Sequence, residues 1–125
     1  MIILDTHTLI WFLMDEEKLS EPAKKAIHES DDVFVSVASL WEIAIKQSIG
    51  KLDIESTIQE IAESCSKEYI SLLNITPEHM EGVKHLSHIH GDPFDRLIIS
   101  QVKCIEATLI TKDENMPKYG IDVLW

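Results

Sequence analysis

Short continuous apolar runs alternate with longer amphipathic stretches along this chain, and that alternation sets the expected order of elements. Ile2-Ile3-Leu4 ends at Asp5-Thr6, the pattern of a central strand covered on both faces. Thr8 to Met14 predicts a buried helix or helical turn. Asp15-Glu16-Glu17-Lys18 is solvated, and Ser20-Glu21-Pro22 predicts a second helix to about Ser30, with Ser20 as its N-cap. Val33 to Val37 is a β-rich second strand after the Asp31-Asp32 turn. Ser39-Leu40-Trp41-Glu42 opens a helix ending near Gly50, a natural C′ glycine. Ile54, Ile58, Ile61, Ala62 and Cys65 recur at helical spacing and predict an amphipathic helix to Lys67.

Tyr69 to Ile75 is the third strand, and Thr76-Pro77-Glu78 starts a helix running to about Leu86. Gly91-Asp92-Pro93 then breaks the chain and opens a helix over Phe94 to Ala107, carried by Leu97, Ile98, Gln101, Val102 and Ile105. Asp92 is its natural N-cap, and Asp95 lies in its first turn, where a negative charge is favoured. Thr108 to Thr111 forms a fourth strand and Asp122 to Trp125 a fifth. Strands alternating with helices predict an α/β fold: a three-layer, mostly parallel five-stranded sheet with helices on both faces.

Length and composition fit that expectation. The 125 residues predict a single domain over 1–125, and 45% hydrophobic with 26% charged residues is ordinary for a soluble globular protein. The formal charge of −11 argues against a generic basic nucleic-acid footprint, yet acidic residues gathered in a metal site weigh heavily in so short a chain. Cys65 and Cys104 fall in helical patterns and read as reduced, buried thiols. The apolar N-terminus is interrupted by Asp5, Thr6 and His7 and falls short of a membrane span. It also lacks the features of a signal peptide, so no membrane is expected and the cytoplasm is the expected compartment.

In a parallel α/β sheet the site lies outside the carboxyl ends of the strands. Asp5 is the first polar residue after strand one, and Asp113 follows strand four by two residues. Glu42 lies in the first turn of the helix after strand two, and Asp95 opens its own helix. All four carboxylates therefore reach one edge of the layer. Packed together they repel unless a cation sits among them, and a hard oxygen set favours Mg²⁺ or Mn²⁺ over zinc. Such a centre suits phosphodiester hydrolysis. The crowding also predicts that Asp5→Asn abolishes cleavage while leaving stability unchanged or raised.

Each residue has a plainer reading. Asp5 can simply end a strand, and Ser39-x-x-Glu42 fits a capping box. Asp95 can serve the helix dipole or pair with Arg96 or Lys112, and Asp113 can belong to an ordinary turn. His85, His88 and His90 are closely spaced, but without cysteines or a second cluster they read as a polar loop beside the site rather than a zinc centre. His7 and His28 read as structural or exposed. Trp11, Phe12 and Trp41 read as core. The joint placement of the acids outweighs each residue taken singly.

Taken in order, Ile3-Leu4-Asp5-Thr6-His7, Ser36-Val37-Ala38-Ser39-Leu40-Trp41-Glu42-Ile43, His90-Gly91-Asp92-Pro93-Phe94-Asp95-Arg96-Leu97-Ile98, Thr111-Lys112-Asp113, and Tyr119-Gly120 with Val123-Leu124-Trp125 resemble the PIN-domain ribonucleases of the VapC toxin type across the whole chain. The resemblance implies a Mg²⁺- or Mn²⁺-dependent endoribonuclease, the toxin of a type II toxin–antitoxin pair. It also implies a homodimer and a partner antitoxin whose tail blocks the acidic pocket with a basic side chain. By position, Asp5, Glu42, Asp95 and Asp113 match the family's acidic quartet. The metal would be held mainly by Asp5, Asp95 and Asp113, with Glu42 positioning water or completing the shell. Thr111 and Asp92 match frequent neighbours of the site, Thr111 as a residue that orients a carboxylate. Arg96 is a candidate for orienting Asp95 or touching substrate phosphate, with a surface ion pair as the alternative.

Departures from the family pattern are Ser100-Gln101-Val102 in place of small alanines, Glu106-Ala107 where a glycine is common, and Met116 for an aromatic. They bear on helix docking more than on the acids. Two other readings stand beside this one. A non-catalytic PIN-like module would bind RNA or protein without cleaving. A phosphate-transfer domain would use Asp5 as nucleophile, although Thr6 and His7 stand where an Asp-x-Asp pattern would be expected.

Overall fold

The computed structural model describes residues 1–125. Its centre is strand β1 (Ile2–Leu4), flanked by β2 (Val33–Ser36) and β4 (Thr108–Ile110), with β3 (Ile70–Leu73) and β5 (Asp122–Leu124) at the edges. All four pairings are parallel, and β1 aligns Ile3 with Phe34 on one side and with Leu109 on the other. The pleat sends successive side chains to opposite faces. Leu4 thus enters the core shared with Leu9, Ile27, Val35, Ile43 and Ile61. Ile3 enters the other, with Ile98, Ile99, Val102 and Leu109.

Helices α1 (Thr6–Met14), α2 (Glu21–Glu29), α3 (Val37–Ser48) and α4 (Ile58–Lys67) supply the first core, and α6 (Pro93–Ile105) the second, with α5 (Pro77–Val83) packed on α6. The expected three-layer α/β architecture is the one observed. The chain moves outward from β1 to β2 and β3, then returns to the other side of β1 as β4. The strand order therefore reverses at β1, which opens a crevice at the carboxyl ends of the central strands.

Local capping explains where the helix starts differ from the periodicity. Helix α3 begins at Val37, two residues before the expected Ser39, because the Ser36 side chain accepts the Ala38 N–H at 3.1 Å. Ser39 is therefore inside the helix, Val37 leaves the strand, and Glu42 falls in the second turn rather than the first. The capping box expected for Ser39 and Glu42 does not form.

Helix α4 starts at Ile58 instead of Ile54, fixed by a capping box between Thr57 and Glu60. The Gln47 amide draws the preceding segment in by donating to the carbonyls of Ile54 and Ser56 at 2.9 and 2.8 Å. Strand β3 is shorter than expected at both ends, since Tyr69 takes a positive φ of 58° and is excluded.

The family departures have structural counterparts on α6. The Ser100 hydroxyl donates to the His79 carbonyl at 2.6 Å, and a Cβ placed on Gly82 would stand 2.3 Å from that hydroxyl. Gly82 is thus what lets α5 lie against a serine. Glu106 ends α6 in the left-handed region at φ 54°, a conformation that favours glycine.

Candidate metal centre

Five carboxylates line one recess of about 220 Å³ above β1: Asp5, Glu42, Asp92, Asp95 and Asp113, with Thr6, His7, Trp11, Lys46 and Lys112 completing the wall. The four acids singled out in the sequence are therefore brought to one place, and Asp92 with them. Each arrives by a different route. Asp5 follows β1 and caps α1, its Oδ1 accepting the Thr8 N–H at 2.8 Å. Its Oδ2 accepts the Thr111 hydroxyl at 2.5 Å, and Thr111 Oγ1 in turn accepts the Asp113 N–H at 3.1 Å. Thr111 thereby bonds the carboxylate of one strand end and the backbone of another.

Glu42 is buried and rises from α3. The Thr6 hydroxyl lies 2.6 Å from Glu42 Oε1 and 2.9 Å from Ser39 Oγ. One hydroxyl proton serves one acceptor, and the carboxylate is the stronger. Glu42 Oε2 pairs with Lys46 Nζ at 2.8 Å, one helical turn on. That contact, against partial desolvation, holds the Lys46 ammonium above its ordinary pKa. Lys112 stands 5.9 Å over the Trp11 ring.

Asp92 caps α6, with Oδ1 accepting the N–H groups of Phe94 at 2.8 Å and Asp95 at 3.1 Å. Asp95 differs from its neighbours in having no side-chain hydrogen bond or ion pair. Burial pushes its carboxyl up to about 7, helped by the charges of Asp92, Glu42, Asp5 and Asp113. A carboxyl held so far above its ordinary range is a group for which a cation would substitute.

Ligand spacing is tighter for some of these residues than for others. One ligand atom each from His90, Asp95 and Asp113 lie within 4.8 Å of one another. Asp5 and Glu42 share the recess but stand outside that trio, their oxygens already held by Thr8, Thr111, Thr6 and Lys46.

Arg96 does not reach Asp95. Its guanidinium turns back to donate to the carbonyls of Ser87 (2.8 Å), Val83 (3.2 Å), His90 (3.4 Å) and Leu86 (3.4 Å). It ties the segment before α6 to the helix, so neither an Asp95 pair nor an exposed ion pair forms. Trp41, expected in the core, is instead 59% exposed. With Ile45 and Ile49 it forms an exposed stripe along α3, and its ring meets Phe94 edge-on at 5.1 Å.

Of the closely spaced histidines, His85 and His88 are exposed while His90 turns inward, its Nε2 3.0 Å from Asp113 Oδ2. The run gave no sign of which one would turn. Thr6, Lys46 and Lys112 were also not singled out for the site. Their only signal was adjacency to Asp5 and Asp113, or a place one turn beyond Glu42.

Comparison with known proteins agrees with the fold. A family model described as PIN domain matches residues 2–122. The chain is 28% identical over 120 residues to Ribonuclease VapC22 of Mycobacterium tuberculosis (strain ATCC 25618 / H37Rv), covering 92% of this chain and 88% of that protein. Similar solved structures include VapBC2 from Rickettsia felis bound to a DNA fragment from its promoter (TM-score 0.72, 13% identity, 99% of this chain and 98% of that one). A toxin–antitoxin complex from Klebsiella pneumoniae (TM-score 0.65, 16% identity) is covered to 97% by the whole of this chain. The same coverage holds for FitAcB from Neisseria gonorrhoeae (TM-score 0.67, 16% identity). No helix is long and apolar enough to cross a membrane.

Proposed function

Because the chain belongs to the PIN domain family, we propose that it is a Mg²⁺- or Mn²⁺-dependent endoribonuclease that hydrolyses RNA phosphodiester bonds. It acts as the toxin of a type II toxin–antitoxin pair, in the cytoplasm, with residues 1–125 working as one domain. The observation that carries this reading is Asp95, a carboxyl without a partner, held at about 7 among four other carboxylates. The donor set is all-oxygen apart from one imidazole, it is partly buried, and its excess negative charge is relieved by a small hard cation. A divalent ion bound there supplies Lewis-acid activation of the phosphodiester and of the attacking water.

The chain's own groups do the rest. Asp95 and Asp113 would hold the cation, with Asp5, held in orientation by Thr111 and Thr8, as a further candidate ligand. Glu42, paired with Lys46, would accept a proton from or orient water in the recess. Lys46 and Lys112 are the cationic groups of the recess and suit non-bridging phosphate oxygens. Asp92 keeps the α6 N-terminus in place. A homodimer and a cognate antitoxin are part of the same reading, supported by the uncovered Trp41, Ile45 and Ile49 stripe and by an acidic recess suited to a basic side chain.

Incubation with total RNA and Mg²⁺, Mn²⁺ or chelator tests the proposal. Discrete cuts that need the metal and vanish in Asp95→Asn and Asp113→Asn are expected. Binding of RNA or a protein without cleavage under any metal would replace it with the non-catalytic module.

A further inference from the structure

Resting on the acidic centre proposed above, we propose that His90 is a nitrogen ligand of the same divalent ion, adjacent to Asp113 in its shell. His90 Nε2 is buried and has no hydrogen-bond partner, although it lies 3.0 Å from Asp113 Oδ2. An imidazolium paired with that carboxylate would aim its N–H along the contact, and this alignment is missing. Two donor atoms converging on one ion need no such alignment. With metal–donor bonds of about 2.1 Å at right angles, neighbouring ligand atoms sit about 3.0 Å apart. One ligand atom of Asp95 lies within 4.8 Å of one each from His90 and Asp113, so the three can share one ion.

The second support is the way the segment is held. His90 precedes α6 in an irregular stretch whose neighbours His85 and His88 are exposed. Its backbone is nonetheless fixed from both sides. Arg96, one residue past Asp95, donates to the carbonyls of Val83, Leu86, Ser87 and His90. The His90 N–H donates to the buried Tyr119 hydroxyl at 2.6 Å, and the two rings lie 5.8 Å apart. Four carbonyls gathered by one guanidinium is a large commitment of the chain's single arginine. It is accounted for if the imbedded imidazole must stay aimed at the centre.

An imidazole in an otherwise carboxylate shell favours Mn²⁺ and the later transition ions over Mg²⁺. The untagged full chain is loaded with Mn²⁺, and pulsed EPR reads nitrogen hyperfine coupling to the ion. Titration calorimetry follows Mn²⁺ and Mg²⁺ binding in parallel. Imidazole ¹⁴N coupling is expected in the parent chain and in His7→Ala, the histidine that lines the recess, and is lost in His90→Ala and His90→Gln. Mn²⁺ affinity should fall at least about tenfold in the His90 variants, no less than the loss of an outer-shell partner costs, and Mg²⁺ affinity should fall less. Circular dichroism establishes that both variants fold. Mn²⁺ bound by the carboxylates without nitrogen coupling, and unchanged by His90→Ala, overturns the ligand role and leaves the acidic centre standing. Failure of Mn²⁺ to bind the parent chain at all overturns both.

Discussion

Replacing Asp95 with asparagine removes one charge from a recess walled by five carboxylates while keeping the shape of the side chain. Without metal, that charge is a cost to the folded state. A carboxyl raised from 3.8 to about 7 corresponds to roughly 4 kcal/mol of differential stabilisation. Asp95 is only partly buried, and solvent screening reduces this to about 2 kcal/mol. The sign is opposite to that of a salt-bridged aspartate. Because the folded pKa lies above the unfolded one, the benefit of protonation is complete below about pH 4 and is lost as pH rises to about 7.

The variant should therefore match the parent chain at low pH and exceed it by about 2 kcal/mol at pH 8 in chelator. Urea unfolding at pH 4, 5, 6, 7 and 8 reads this as a midpoint gap that opens to about 1 M at a typical slope for a small domain. Saturating Mn²⁺ should reverse the order. The parent chain gains about 2.7 kcal/mol at a hundredfold excess over its dissociation constant, whereas the variant gains much less. An Asp95→Asn chain that is equally or less stable at pH 8 in chelator, with a gap independent of pH, would refute the electrostatic reasoning.

Three further outcomes follow from particular contacts. Glu106→Gly should stabilise the fold by about 1 kcal/mol, since Glu106 holds φ 54° at the end of α6; urea unfolding checks it, and no gain would mean the glutamate compensates elsewhere. Gly82→Ala should cost about 2 kcal/mol, because its Cβ would meet Ser100 Oγ at 2.3 Å. Combining it with Ser100→Ala should recover part of that loss in a double-mutant cycle, and full additivity would refute the clash. Cys65 is fully buried, with burial pushing its thiol up to about 11, so iodoacetamide at pH 8 should label the native chain at Cys104 first. Equal labelling, read by peptide mass, would refute the burial argument.

From the sequence alone, relief of carboxylate repulsion is expected at Asp5. In the fold, Asp5 accepts from Thr8 and Thr111 and caps α1, so asparagine there trades settled hydrogen bonds for the lost charge. The carboxyl without partners is Asp95, and the relief falls on it. Which acid is left unsatisfied depends on donors supplied by distant residues, and no count of carboxylates contains that information.

By itself the sequence determined what is local or periodic. Apolar runs with alternating helical stretches required a doubly covered parallel sheet, and Ser20 and Asp92 announced their helix starts through capping chemistry that spans three residues. The positions of Asp5 and Asp113 after strands, and of Glu42 and Asp95 near helix starts, were enough to place them on one edge. Tertiary structure decided everything that needs a partner far along the chain. Thr111 reaches Asp5 across 106 positions and Thr6 reaches Glu42 across 36. Trp41 shows the same limit, since periodicity counts a tryptophan as core wherever it falls and only packing decides whether a neighbour covers it. His90 faces inward while His85 and His88 do not because Arg96 and Tyr119 hold its backbone. A residue's type sets what it is able to bind, and the chain folded around it decides what stands within reach.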